Sequence, residues 1–282
     1  MRISVIQMSP GSVKADNIDQ AQRLIEGCLS ADRPDLIVLP EVWTCLGGDR
    51  STRFAAAEDI PLPDADAPGG DAFRFLQQMA VTHGIHVHGG SIGERDGDRL
   101  LNTSLVFGPD GRLLTRYSKI HMFDITTPGG VGYCESDTYR PGRTVATAPM
   151  EGRFDALRLG LAICYDLRFG ELFHRLRHEG AELILVPAAF TAETGEAHWE
   201  TLLRARAIET QCWFAAAATV GPHQDAAGRT NMTYGHSMIV DPWGTVVARA
   251  SSGPGWATGR VDTGLTRRIR TNMPVMEHRR LL

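Results

Sequence analysis

No apolar run in this 282-residue chain approaches the roughly 18–20 residues that a membrane helix needs. The longest, residues 183–190, has the length of a strand. The first residues also read as a strand and lack the apolar core and cleavage site of a secretion signal, so a cytoplasmic protein without a membrane partner is expected. Cysteine is sparse. Cys28, Cys45, Cys134, Cys164 and Cys212 are odd in number, widely spaced and without a C-x-x-C pair, which argues against a zinc ribbon or a thioredoxin-type redox centre. In a reducing compartment they are free thiols. Basic charge is not in excess, with 29 Lys and Arg against 33 Asp and Glu and a formal charge of −4. No nucleic-acid partner is expected, because phosphates require a basic face. The basic clusters Arg267, Arg268, Arg270 and His278, Arg279, Arg280 read as a solvated face or a subunit contact. Also missing are the G-x-x-x-x-G-K-[ST] phosphate loop, the H-E-x-x-H zinc motif, the G-x-S-x-G elbow and a G-x-G-x-x-G after the first strand. His86 and His88 put two imidazoles on one strand face, but without a third ligand nearby they read as structural, and no metal is expected.

What is present is an ordinary globular composition, 43% hydrophobic and 22% charged. Strand-like segments at 2–9, 36–39 and 87–93 alternate with helical periodicity at 16–29 and 71–83. A hairpin follows, with 105–107 and 113–114 flanking the turn Pro109-Asp110-Gly111. The second half repeats the order: strands at 157–164, 183–187 and 213–220, helices at 171–178 and 198–210, and a hairpin of 237–240 with 246–248 around Asp241-Pro242-Trp243-Gly244. No linker rich in Pro, Ser or charge separates the halves. One α/β domain over residues 1–282, with internal pseudo-symmetry, is the expectation.

Three polar residues stand at strand ends, where an α/β sheet presents side chains to a cleft. Glu41 follows Pro40, Lys119 follows the first hairpin, and Cys164 ends an apolar strand before a helix start that favours the thiolate. Each has a plainer reading as a turn carboxylate, a surface lysine or a core thiol. Together their contexts, Leu39-Pro40-Glu41, Ser118-Lys119-Ile120-His121-Met122-Phe123-Asp124 and Ile163-Cys164-Tyr165-Asp166-Leu167-Arg168-Phe169, resemble the nitrilase, or carbon–nitrogen hydrolase, superfamily. The motifs occur in its order, 78 and 45 residues apart, and the likeness extends over nearly the whole chain.

The resemblance implies a four-layer α-β-β-α sandwich and a catalytic triad of Glu41, Lys119 and Cys164. Cys164 would attack an amide carbonyl, Glu41 would serve as general base and acid, and Lys119 with the Tyr165 N–H would hold the oxyanion. Glu135, on the Cys134-Glu135-Ser136 loop, matches a second family glutamate that positions substrate beside the lysine. No metal or organic cofactor enters the scheme. Arg168 would either bind a substrate carboxylate or anchor a helix through an ion pair, and Thr191 is a pocket candidate. Met122, Phe123, Trp199 and Trp213 are core or pocket wall. Gly170 departs from the Pro or Ala usual in relatives, and the 42–48 loop matches neither subgroup.

Residues 194–200 and 203–211 and the stretch from Tyr234 to Thr245 resemble the Nit branch, with ω-amidases and deaminated glutathione amidases; the 134–136 loop and residues 206–211 look closer to the latter. That implies a small carboxylated amide substrate, with release of cysteinylglycine or, for an ω-amidase, ammonia. An N-carbamoyl amidohydrolase, a true nitrilase and a catalytically idle partner-binding member are the other readings. The family implies a homodimer or higher homo-oligomer, here through residues 171–178 and the C-terminal tail.

Overall fold

A computed structural model describes residues 1–61, 68–154 and 157–280. The chain runs β1 (Arg2–Gln7), α1 (Lys14–Asp32), β2 (Leu36–Val38), α2 (Arg50–Ala56), α3 (Asp71–His83), β3 (His86–His88), β4 (Ile92–Asp96), β5 (Arg99–Phe107) and β6 (Leu113–Ser118). A small ribbon of β7 (Asp124–Thr126) and β8 (Gly132–Cys134) leads into β9 (Thr147–Pro149), β10 (Arg158–Leu161), α4 (Gly170–His178), β11 (Leu183–Ala188), α5 (Ala192–Thr210) and β12 (Trp213–Ala218). The hairpin β13 (Val220–Gln224) with β14 (Thr230–Tyr234) precedes β15 (Met238–Val240), β16 (Val246–Arg249), β17 (Gly255–Arg260), α6 (Thr263–Asn272) and α7 (Val275–His278).

One sheet orders its strands β17-β1-β2-β3-β5-β6, with β4 continuing the edge of β5 that β3 begins. The other orders them β9-β10-β11-β12-β15-β16. Each reads as an antiparallel edge strand, three parallel strands and two antiparallel strands, so the halves share one topology.

The period-two alternation of the strands decides the layers. Ile3, Val5, Leu36 and Val38 point into a core shared with β10, β11 and β12 of the other sheet. Ile6, Ile37 and Leu39 point the opposite way, onto Ala21, Ile25 and Cys28 of α1 and Phe73 and Leu76 of α3. Leu172, Phe173 and Leu176 of α4 with Trp199 and Leu203 of α5 cover the second sheet. The architecture is the α-β-β-α sandwich. Gln7 ties the sheets together: its Oε1 accepts from Ser237 N at 2.8 Å and its Nε2 donates to the Gly253 carbonyl at 2.8 Å.

Several boundaries differ from the sequence reading. The segment 87–93 is two strands, broken at Gly89-Gly90-Ser91, where the interval from His88 to Ile92 faces the shorter one from Val106 to Thr103. The helix expected at 198–210 begins at Ala192. Gly195 inside it disguises the start, because the Tyr234 ring occupies the space a Cβ would need. The strand expected through Cys164 stops at Leu161. The β13–β14 hairpin and β17 are not legible in the sequence because their strands carry no clean apolar alternation, and β17 finds its partner β1 across nearly the whole chain.

Candidate active site

Glu41 lies one turn past β2, whose three residues are all buried. The chain turns sharply there, with Val42 in the left-handed region at φ 40°. The break between β3 and β4 holds this turn. Gly90, at φ 60°, passes so close to the Pro40 carbonyl that any Cβ would collide with it. Ser91 N donates to Pro40 O at 3.1 Å, and Val42 N donates to Ser91 Oγ at 3.0 Å. The Trp43 indole reaches Gly89 O at 2.8 Å. The glutamate ends up 4% exposed on a fixed backbone.

Lys119 follows β6 and is 2% exposed. Its Nζ donates to Glu41 Oε1 at 3.0 Å and to Glu135 Oε2 at 2.7 Å. Burial opposes the charged lysine, but Glu135, Glu41 and Cys164 outweigh it and hold the ammonium charged well above its usual range. Glu135 is fixed in turn by Phe123 N, which donates to Oε2 at 2.7 Å. Asn102, in the middle of β5, bridges the two carboxylates from Nδ2, at 2.9 Å to Glu41 Oε1 and 3.3 Å to Glu135 Oε1. A lysine has three N–H donors. All three face carboxylate oxygens, Glu41 Oε1 at 3.0 Å and Glu135 Oε1 and Oε2 at 3.0 and 2.7 Å, with the last two on a single carboxylate.

Cys164 opens a 3-10 turn, Cys164–Arg168, with its own φ at 47°. A non-glycine residue held there stores of order 1–3 kcal/mol, which its surroundings must hold in place. Asp166 does so. Wholly buried, it accepts from Ile163 N at 2.9 Å and the Tyr117 hydroxyl at 2.7 Å on one oxygen. The other oxygen takes His121 N at 3.1 Å, with His121 Nδ1 at 2.7 Å. One carboxylate thus joins the cysteine turn to the strand and loop that carry Lys119. Burial first, then the Glu41 carboxylate, push the Cys164 thiol well above its usual range, against the opposing pull of Lys119 and the Ala189 N–H. This corrects the expectation that a helix start favours the thiolate. The segment is a five-residue 3-10 turn, too short for an appreciable dipole, and desolvation dominates.

Glu41, Lys119, Glu135 and Cys164 line one cavity of about 300 Å³, together with Tyr165, Arg168 and Thr191, so all seven sequence-derived candidates meet there. Thr191 is the N-cap of α5, accepting from Thr194 N at 3.2 Å. Arg168 lies over the rings of Tyr165 and Phe190, at 5.6 and 5.4 Å to their centroids, and its Nη1 is 3.2 Å from His198 Nδ1. No carboxylate among the described residues pairs with it, which removes the ion-pair reading. Phe123 is pocket wall, while Trp199 and Trp213 are core.

The sequence reading missed Asn102, Tyr117 and Asp166. Asp166 lies inside the Ile163–Phe169 motif and carries a usable signal, a carboxylate two residues from a cysteine at the end of an apolar strand. Asn102 carried none. His86 and His88 are engaged separately, His86 Nε2 accepting from Glu151 N at 3.4 Å and His88 Nδ1 from Gly90 N at 3.3 Å. Among the described residues no three His, Cys, Asp or Glu side chains are placed to hold a metal ion, and no helix is long and apolar enough to cross a membrane.

This sandwich and this convergence of carboxylates, ammonium and thiol define a class of hydrolase that works on C–N bonds. The profile of the carbon–nitrogen hydrolase family matches residues 2–271, and the chain belongs to that family. It is a cysteine-dependent amidase of the nitrilase superfamily and is related to its Nit branch. It is 36% identical over 281 residues to the ω-amidase NIT2 of Danio rerio, covering 99% of this chain and 94% of that one. It is 39% identical over 288 residues to a deaminated glutathione amidase of Yersinia enterocolitica, covering 99% and 93%. The crystal structure of the C. elegans NitFhit protein superposes with a TM-score of 0.85 at 35% identity, covering 99% of this chain, which spans only 65% of that longer protein.

Proposed function

We propose that Cys164 is the nucleophile of a deaminated glutathione amidase-like reaction. The observation that carries this reading is the convergence, in one cavity, of a buried thiol, a buried carboxylate and a buried lysine. The proton rests on sulfur, so attack on the amide carbonyl requires a base, and Glu41 accepts it as the C–S bond forms. The oxyanion takes the Tyr165 backbone N–H and a Lys119 N–H given up by one of its two contacts to Glu135; one such donor is worth about 10²–10³ in rate. Glu41 then protonates the leaving nitrogen as the C–N bond breaks, and later draws a proton from the water that opens the thioester. Glu135 keeps Lys119 charged and in place. Arg168, with Thr191 beside it, receives the carboxylate of the acyl portion.

An ω-amidase acting on 2-oxoglutaramate is the second reading, favoured by the likeness to the zebrafish enzyme. Both substrates yield 2-oxoglutarate from the acyl side. Free thiols at all five cysteines suit a reducing compartment such as the cytoplasm, where the reaction would serve metabolite repair. Pairing through α4 and the C-terminal tail would make a homodimer, and sedimentation at twice 30.8 kDa is the expected result.

The central test compares hydrolysis of deaminated glutathione and 2-oxoglutaramate by wild type and Cys164→Ala. The expected result is faster turnover of the former, loss of both reactions in the variant by at least ~10³-fold, and an acyl-enzyme mass on the wild type alone. Undiminished turnover by Cys164→Ala overturns the assignment.

A further inference from the structure

The charges lining the cavity do not balance locally. Glu41 and Glu135 are committed to Lys119, and Asp225 to Arg229 at 2.8 Å. Arg53 and Arg168 remain, and among the described residues no carboxylate lies within salt-bridge distance of either. Arg53 donates only to the Gly47 and Gly48 carbonyls, at 3.4 and 3.5 Å, which leaves most of its five N–H donors uncommitted. His223, on β13, also lines the cavity, and its Nδ1 is shut off from solvent without a hydrogen-bond partner.

The two free guanidinium groups belong to different walls. Arg168 stands with Tyr165 and Phe190, on the side assigned above to the acyl portion. Arg53 stands on the Glu41 side: Val42, next to Glu41, and Phe54, next to Arg53, pack against one small cluster of Ala57, Leu100 and Tyr139. A group that protonates the leaving nitrogen must lie on the side from which the amine departs. We propose that Arg53 and His223 form a second anion subsite on the leaving-group side, so that the enzyme takes amides whose departing amine carries its own carboxylate. The inference rests on the role given to Glu41 above and extends it to the amine half of the substrate. A primary amide, which releases ammonia, leaves this subsite empty. An amide of a short peptide with a free C-terminus fills it, the guanidinium fork meeting the carboxylate and the His223 ring supplying a further N–H.

The test reads binding without turnover. The Cys164→Ala protein is titrated calorimetrically with two compounds that differ only at the far end: a 2-oxoglutaryl group on cysteinylglycine with its free carboxylate, and the same compound ending in a carboxamide. The expected result is at least about tenfold tighter binding of the carboxylate. In Arg53→Gln on the same background the preference falls below about twofold, while Arg53→Lys keeps part of it, as a point charge without the fork does. Equal affinity for the two compounds, or a preference that Arg53→Gln leaves untouched, overturns the subsite. Turnover by Cys164→Ala would instead overturn the nucleophile assignment, so the two failures are distinct.

Discussion

Asp166 shows how much a single buried side chain organises here. It carries no part of the proposed bond-making, yet its two oxygens collect donors from the cysteine turn, from β6 and from the loop after Lys119. Its charge has a visible effect on a neighbour: burial and then Asp166 hold the Tyr117 hydroxyl protonated well above its usual range. Replacing the carboxylate with an amide turns one acceptor into a donor facing donors. Asp166→Asn is expected to cost about 3 kcal/mol, lowering Tm by roughly 6–12 °C, and to depress kcat more than it raises KM. Tyr117→Phe removes only one donor and should be milder in both. Thermal melts and steady-state kinetics on the three proteins decide this. A loss of stability with kcat intact would mean that Asp166 supports the fold without positioning the site.

At the scale of elements, the break between β3 and β4 does two things. It lets Gly90 and Ser91 hold the Glu41 turn, and it leaves the preceding His88 buried, with Nε2 lacking a partner. Burial pushes the His88 imidazole down to about 3, from an ordinary value of 6.5. The folded protein therefore keeps this ring neutral where the unfolded chain would bind a proton. The contribution to stability is fully present above about pH 6.5 and is lost as pH falls toward 3. At pH 5 the loss is about 2 kcal/mol. Urea unfolding at pH 7 and pH 5 should show that increment in the wild type, and His88→Gln should shrink the difference between the two pH values by a similar amount. An unchanged difference would show that the ring gains a proton without unfolding.

For the whole molecule, the link that matters is between the sheets, because the site draws Glu41, Lys119 and Asn102 from one and Cys164 from the end of the other. Apolar packing supplies most of the attraction, but it is non-directional and does not by itself set the relative position of the strand ends. Gln7 supplies direction. Fully buried at the end of β1, it accepts from Ser237 N and donates to the carbonyls of Ser251 and Gly253, at 2.5 Å for Ser251. Gln7→Leu leaves a buried N–H and two carbonyls without this partner. It should destabilise by about 2–5 kcal/mol, well beyond the cost of a surface change, as denaturant midpoints will show. A shift below about 0.5 kcal/mol would mean that water replaces the amide.

The sequence by itself determined the alternation of strands and helices, the repeat of one plan in both halves, and the strand-end motifs that name Glu41, Lys119 and Cys164. These are local facts: side-chain period, turn residues and short motifs are legible without knowing what lies across the core. The helix at Asp71–His83 matches the periodicity residue for residue for that reason. Only the tertiary structure decided that β17 completes the first sheet, that Asn102 bridges two glutamates, and that Arg53 of α2 faces the cavity. It also decided the surroundings of the Cys164 thiol. A helix start just after a thiol reads as activating, but burial and then the Glu41 carboxylate push the Cys164 thiol well above its usual range. Desolvation and pairing across 61 residues, as between Asn102 and Glu41, depend on which groups packing brings together, and no local pattern encodes that.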